Sequence, residues 1–104
     1  MPAPPALVIQ SFADAGTEDV FDGRATRAAR RACPAALLAV ARRELDQLDA
    51  AVSLASLRVP PGNRLEALHG DREGQHSIRV NDQYRVCFRW TDAGPTDVEL
   101  TDYH

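Results

Sequence analysis

The sequence predicts an α+β domain, because helical and strand periodicities occupy separate halves of the chain. Between Leu37 and Val52, apolar residues recur at three- and four-residue steps, which is typical of one buried helix face. After residue 63 the period changes to two, and apolar residues alternate with polar ones. With 104 residues, the chain has room for one domain with a modest core.

Residues 1–7 are predicted to form a disordered leader, and residues 8–104 a single folded domain. Three of the first five residues are prolines, which lack the N–H group that a sheet ladder needs. The leader also lacks the positive start and apolar core of a signal peptide. At the start of the domain, Leu7–Phe12 is expected to be a short strand that Gly16 ends.

Two N-terminal helices are expected. Thr17 is predicted to cap the first, with acidic residues in the first turn, and Gly23 to end it. Pro34 suits the first position of the second helix. The apolar stripe of that helix consists of Leu37, Leu38, Ala41, Leu45, Leu48 and Val52. Four consecutive turn formers, residues 60–63, end the helical half.

The C-terminal half is predicted to form a mostly antiparallel sheet. Its strands are expected at 64–69, 77–81, 84–90 and 97–101, with hairpin turns at 81–83 and 92–95. Since successive side chains of a strand point to opposite faces, Val86 and Phe88 are expected to face the helices. Arg85, Arg89 and Arg79 then share the outer face, which is either a site for anions or a solvated surface.

The basic residues are all arginines, twelve in number, although the net charge is −3. The net charge argues against a general nucleic-acid binder, but Arg24–Arg43 contains six arginines and no acid. One explanation for the absence of lysine is that the forked guanidinium group of arginine suits phosphate. The alternative explanation is the codon usage of a GC-rich genome. Two cysteines are too few for a disulfide framework and indicate a reduced, cytoplasmic setting. No apolar run approaches the roughly 18 residues of a membrane span.

The chain ends with an acid, a phenol and an imidazole, in Asp102, Tyr103 and His104. Strand parity places Asp102 and His104 on one side and Tyr103 on the other. If Asp102 and His104 lie at the rim of the core, they suit acid–base chemistry. The alternative is that the C-terminus is frayed and has no function. A metal site built from His69, His76, Asp102 and His104 has no recognised ligand spacing, so neither metal nor cofactor is predicted.

Four segments of the sequence resemble the HigB toxins, the host-inhibition-of-growth group of the RelE/ParE superfamily. They are Ile9–Phe12, Leu65–Gly74, His76–Trp90 and Asp102–His104. The resemblance implies two N-terminal helices packed on a small, mostly antiparallel, twisted sheet. It also implies the toxin of a type II toxin–antitoxin system that cleaves messenger RNA on the translating ribosome. Its expected partners are the ribosome, messenger RNA and a helix-turn-helix, HigA-like antitoxin.

The resemblance also implies which residues act. The closing Asp-Tyr-His of the family falls on Asp102, Tyr103 and His104, and its strand arginine on Arg85. Some members have a catalytic histidine where this chain has Glu66, and a lysine is common where it has His69, so the second proton-transfer group is either Glu66 or His69. Further contacts with RNA or the ribosome are predicted at Arg79, Arg89, Arg42, Arg43 and Arg72.

The expected chemistry is attack of a 2′-hydroxyl on the adjacent phosphorus, which needs a base, an acid and positive charge on the phosphoryl oxygens. His104 is expected to transfer a proton, Asp102 to orient it or act as a base, and Arg85 with Arg79 to stabilise the transition state. Tyr103 is expected to stack on a nucleobase or to position it. Two alternatives remain open: a ParE-like gyrase inhibitor, and a partner-binding module that cleaves no RNA.

Overall fold

The computed structural model describes residues 4–103, which form three α-helices packed on a four-stranded sheet and confirm the predicted α+β class. Residues 1–3 and His104 lie outside the described residues. The helices are α1 (Ala15–Asp22), α2 (Arg27–Ala32) and α3 (Leu38–Asp49), and the strands are β1 (Glu66–Ala67), β2 (His76–Arg79), β3 (Tyr84–Thr91) and β4 (Gly94–Asp102). The sheet order is β1-β2-β3-β4, and each neighbouring pair is antiparallel.

The hydrophobic core lies between the helices and the inner face of the sheet. Leu45 and Leu48 of α3 belong to one buried cluster with Val86 and Phe88 of β3. This cluster confirms the predicted helix stripe and the predicted inner face of β3. The stripe ends earlier than predicted, because α3 stops before Val52, which is 40% exposed.

The helical half contains one more helix than predicted, α2, among the described residues. The predicted cap of α1 was wrong: the Asp14 carboxylate accepts a hydrogen bond from the backbone N–H of Thr17 at 2.7 Å, so Thr17 is already inside the first turn. Gly23 ends α1 in a left-handed conformation with φ 77°, as predicted. Pro34 does not begin the long helix, because its extended ψ of 142° places it before a 3₁₀ turn at Ala35–Leu37.

The N-terminal segment runs along the edge of β4 without forming the regular strand predicted for Leu7–Phe12. One isolated parallel bridge joins Phe12 to Val98, and the Val98 N–H donates to the carbonyl oxygen of Ser11 at 3.1 Å. At this place β4 is irregular, since its register with β3 shifts and Asp97 adopts φ 51°. A bulged edge cannot support a continuous ladder.

The predicted leader is only partly described. Residues 4–6 are exposed, whereas the Leu7 N–H donates to the carbonyl oxygen of Ala51 at 2.8 Å. The boundary at residue 7 therefore stays a prediction. None of the helices in residues 4–103 is long and apolar enough to cross a membrane.

The strand predicted at 64–69 is reduced to the two residues of β1. Arg64 has a left-handed backbone with φ 47°, and a 3₁₀ turn at Gly70–Arg72 follows, so extended geometry is limited on both sides. The turn at 81–83 is confirmed, and the Asn81 side chain accepts hydrogen bonds from the backbone N–H groups of Gln83 and Tyr84. The second turn is shorter than predicted, because its last two residues already belong to β4.

Gly16 and Thr17 join α1 to its neighbours. Gly16 was predicted to end the preceding strand, but it lies inside α1. It allows α2 to approach closely, because a Cβ atom added at this position would lie 2.5 Å from the carbonyl oxygen of Ala28. Thr17 is fully buried, and its Oγ1 accepts a hydrogen bond from the backbone N–H of Leu100 at 3.0 Å. A side-chain hydroxyl thus satisfies a donor of β4.

Replacing Thr17 with valine is expected to lower the free energy of unfolding by about 1–3 kcal/mol, because the buried N–H of Leu100 would lose its acceptor. Urea unfolding of wild type, Thr17→Val and Thr17→Ser measures the effect. Serine keeps the hydroxyl and should retain most of the stability. If both variants lose the same amount, packing of the Thr17 methyl group matters more than the hydrogen bond.

Candidate active site on the outer face of the sheet

The outer face of the sheet carries two rows of side chains that cross its strands. One row consists of Glu66, Ser77, Cys87 and Glu99, and the next of Arg79, Arg85 and Thr101. Directly opposed residues in antiparallel strands have Cβ atoms about 4.5–5.5 Å apart. The register therefore confirms that Arg79 and Arg85 share a face, and it places Glu66 and Ser77 in the neighbouring row.

Arg85 is held in a defined orientation. Its Nε donates to Ser77 Oγ at 3.0 Å, and its Nη2 donates to the carbonyl oxygen of Arg64 at 3.1 Å. The side chain is 13% exposed, and Nη2 also lies 3.6 Å from Glu66 Oε1. Two hydrogen bonds thus fix the guanidinium plane, while the contact with Glu66 is longer than a hydrogen bond. Such a guanidinium is preorganised, since its orientation does not depend on a ligand.

The arginines of this face are each paired with an acid. The N–O distances are 3.0 Å for Arg72–Glu99, 3.6 Å for Arg85–Glu66 and 3.8 Å for Arg89–Asp97, and Arg79 contacts Asp82. The predicted basic face is therefore balanced in charge. The pairs of Arg79 and Arg89 are exposed, and exposed ion pairs contribute only about 0–1 kcal/mol, so a phosphate group can displace these two acids at small cost.

Tyr103 lies beside Arg72 at the β4 side of the face. The guanidinium carbon of Arg72 is 5.9 Å from the centroid of the Tyr103 ring, within the range of a cation–π contact. Arg72 Nη1 donates to Glu99 Oε1 at 3.0 Å and to Gln75 Oε1 at 3.1 Å. The predicted outward position of Tyr103 is confirmed, and Arg72 supports its ring.

Asp102 belongs to the opposite parity. It pairs with Tyr84 in the sheet register, and its Oδ2 accepts a hydrogen bond from Gln83 Nε2 at 2.8 Å. The sheet thus separates the predicted Asp102 from Arg85, which lies on the other face. His104 lies outside the described residues, so its predicted position beside Asp102 is not described.

The two candidates for the second proton-transfer group have different surroundings. Glu66 stands in the row next to Arg85 and contacts its guanidinium. His69 follows β1, its side chain is 85% exposed, and its Nδ1 lies 3.8 Å from Glu73 Oε2. The arrangement therefore groups Glu66, and not His69, with Arg85.

Cys87 lies between these side chains but is fully buried. Burial raises the pKa of its thiol, and the nearby charge of Arg72 opposes this only in part, so the thiol is unsuited to nucleophilic attack. His76, a member of the hypothetical metal set, stacks on Phe88 with ring centroids 6.3 Å apart. Residues 4–103 contain no group of three or more His, Cys, Asp or Glu that could hold a metal ion.

The helical arginines do not extend the outer face of the sheet. Arg42 on α3 is half-buried, and its Nε donates to the carbonyl oxygen of Val20 in α1 at 3.2 Å. Arg43 is exposed on the same helix, beside a recess between α3 and the end of β2. The predicted contact residues thus lie on at least two surfaces.

Three residues that shape these surfaces were not predicted from the sequence. Ser77 orients Arg85, and its position two residues before Arg79, on the same face of β2, was an available signal for it. The carbonyl oxygen of Arg64 gives no such signal, because every residue has a backbone carbonyl group and the sequence does not show which one accepts a hydrogen bond. Glu44 had one: it falls between Ala41 and Leu48 on the apolar stripe of α3, at three- and four-residue steps, where a charge is unexpected.

Glu44 is 5% exposed, and its Oε2 has no hydrogen-bond partner among the described residues. Burial raises the pKa of the Glu44 carboxyl, and the charge of Arg43 offsets part of the rise. Because the folded-state pKa is raised, the carboxyl favours the folded state most below its unfolded pKa, and that stability is lost as pH rises through the folded pKa.

Replacing Glu44 with glutamine is therefore expected to raise the melting temperature at about pH 8, with a gain that shrinks towards zero near pH 4. Thermal melts across this range measure the trend. Asp46→Asn is the matched control, because Asp46 is exposed on the same helix. A gain of equal size at every pH would contradict the role of the buried charge.

Comparison with solved structures first gives the class of the fold. One chain of the YoeB–YefM complex from Staphylococcus aureus superposes with a TM-score of 0.51, covering 92% of this chain and 94% of that chain. Only 14% of the aligned residues are identical, so the likeness concerns the fold alone.

The family follows from the sequence. A family model described as the RelE-like toxin of the type II toxin–antitoxin system HigB matches residues 10–104. The chain therefore belongs to the HigB-like family of RelE-like toxins.

Two curated relatives share shorter stretches of sequence. "Toxin HigB-1" of Vibrio cholerae serotype O1 is 55% identical over 51 residues, which are 49% of this chain and 54% of the relative. An uncharacterized protein of Haemophilus influenzae is 40% identical over 57 residues, which are 55% of this chain and 56% of the relative. The match thus spans about half the length of each relative.

Proposed function

We propose that this chain is a type II toxin that cleaves messenger RNA on the translating ribosome. The observation that carries the proposal is the arrangement of Arg85: Ser77 and Arg64 orient its guanidinium, and the Glu66 carboxylate stands 3.6 Å away. A positioned cation beside a carboxylate is what phosphodiester cleavage without a metal requires.

In this mechanism the 2′-oxygen forms a bond to phosphorus while the bond from phosphorus to the 5′-oxygen breaks. Arg85 stabilises the charge that develops on the phosphoryl oxygens. When the phosphate engages Arg85, the weak contact with Glu66 opens, and Glu66 accepts the proton of the 2′-hydroxyl. His104 donates a proton to the leaving 5′-oxygen, whereas Asp102, which lies on the other face of the sheet from Arg85, takes no direct part in this step.

The remaining residues of the face position the RNA. Tyr103, supported by Arg72, offers an aromatic surface on which a nucleobase stacks. Arg79 and Arg89 exchange their partners Asp82 and Asp97 for phosphates of the strand.

The ribosome supplies what the isolated domain lacks. The outer face carries few groups able to transfer protons, and correct placement of reactants can lower a barrier by about 7–11 kcal/mol. The same proposal includes a cytoplasmic location and neutralisation by a helix-turn-helix antitoxin.

The test is induced expression followed by mapping of messenger RNA 5′ ends, with purified ribosome complexes and naked RNA compared in vitro. New ends that require ribosomes are expected during growth arrest. Intact transcripts during arrest would reject the nuclease and favour a gyrase-directed toxin. Equal cutting of naked RNA would reject the dependence on the ribosome.

A further inference from the structure

A recess of about 390 Å³ opens between α3, the 3₁₀ turn at Pro61–Asn63 and the end of β2. Its size falls within the range of about 300–1,000 Å³ that is typical of small-ligand pockets. Glu44 and Gln47 of α3 line it, together with Asn63 of the turn. Asn63 Nδ2 donates to Gln47 Oε1 at 2.9 Å and to the carbonyl oxygen of Leu57 at 3.1 Å. These bonds fix one wall of the recess.

Glu44 is the unusual residue of this recess. A buried carboxyl oxygen normally has a hydrogen-bond partner, because leaving one unsatisfied costs about 1–3 kcal/mol or more. Oε2 of Glu44 is buried and has none among the described residues, and the side-chain amide of the neighbouring Asn63 donates to other acceptors. The wall of the recess thus includes a carboxyl group that no described residue satisfies.

The rim of the recess has the opposite charge. Arg43 and Arg79 also line the recess, and Arg79 contacts the exposed carboxylate of Asp82, which a phosphate group can displace at small cost. The recess therefore favours a ligand with a phosphate over a cationic one. Arg79 pairs with Arg85 in the sheet register, and the carbonyl oxygen of Arg64, the residue after Asn63, holds Arg85. The recess therefore adjoins the arginine site of the outer face.

We propose that this recess binds a nucleobase with an exocyclic amine, which donates to the Glu44 carboxyl while Arg79 contacts the adjoining phosphate. The base belongs to a nucleotide that flanks the scissile phosphate at Arg85, so the inference rests on the proposed function. Adenine, cytosine and guanine carry such an amine, and uracil does not. Glu44 is then a specificity-determining residue.

Binding is tested by NMR titration of the full chain with the 3′-monophosphates of adenosine, cytidine and uridine. An amine-bearing nucleotide should bind about tenfold tighter than uridine monophosphate, with shifts at Gln47, Asn63 and Val80. Glu44→Leu should abolish this preference and Glu44→Gln should reduce it, whereas the exposed Asp46→Asn should not change it. Melting curves show whether Glu44→Leu and Glu44→Gln are folded. If one of them does not fold, the other still tests the proposal.

Two outcomes would overturn the inference. The first is equal affinity for the three nucleotides or shifts confined to the surroundings of Arg85. The second is tighter binding of N-acetyl-arginine amide than of any nucleotide, which would indicate a protein partner.

Mapping of messenger ends separates this inference from the proposed function. Wild type should show a base preference next to the cut, which Glu44→Leu loses. An unchanged preference in Glu44→Leu would overturn the subsite and leave the nuclease intact. If wild type makes no cuts, the proposed function fails, and the nucleotide titration still decides whether the recess binds a base.

Discussion

Arg85→Lys is expected to reduce messenger cutting by about 10²–10³-fold and to relieve growth arrest. Lysine keeps the positive charge but cannot donate simultaneously to Ser77, to the carbonyl oxygen of Arg64 and to a phosphate in one fixed plane. The loss therefore concerns the orientation of the charge. Ribosome-dependent cleavage of a defined messenger, with quantified 5′ ends, measures it.

Arg27→Lys provides the matched control for this variant. Arg27 is exposed on α2, on the helical side of the molecule, and should tolerate lysine without loss of cutting. Melting curves of both variants show whether the fold is kept. Equal losses of cutting at Arg85 and Arg27 would count against an active site on the outer face.

Glu66→Gln is expected to lower the rate of cutting by about 10²–10⁴-fold, the usual contribution of a proton-transfer group. Glutamine preserves the size of the side chain beside Arg85 and removes its basicity, so binding of RNA should change far less than the rate. Single-turnover cutting at saturating ribosome complex separates the two effects.

His69→Gln is the companion variant, because His69 is the other candidate of the sequence analysis and lies in the exposed turn after β1. It should cut like wild type. A larger loss in His69→Gln than in Glu66→Gln would reverse the assignment. If both variants cut normally, the base belongs to another residue or to the ribosome.

The sheet was more predictable than the helical half. Alternation in β3 and β4 correctly assigned Val86 and Phe88 to the core and Arg85 to the outer face, because side-chain direction in a strand is a local property. The cap of α1 was predicted wrongly for a tertiary reason. Thr17 has the right side chain for a cap, but β4 uses its hydroxyl, and Asp14 takes the capping position.

The candidate site was predictable in its residues but not in its charge balance. Arg85 and Glu66 were proposed from the sequence, and the register places them in adjacent rows. The acids that pair with the other arginines are Asp82 in the turn between β2 and β3, and Glu99 and Asp97 in β4. Asp97 lies at the bulge, where its backbone N–H donates to Ser11 of the N-terminal segment. No pattern in the sequence indicates such pairing.

The hydrogen bonds along the free edge of β4 also affect how the sheet can bind other proteins. Residues 10–13 form hydrogen bonds with the backbone groups of Pro95 and Val98, and the Thr17 hydroxyl accepts a hydrogen bond from the N–H of Leu100. An incoming strand finds few free groups there, and β1 at the opposite edge offers only two residues. The described edges thus give little template for edge-to-edge self-association, and a protein that binds this molecule is expected to cover its side chains rather than extend its sheet.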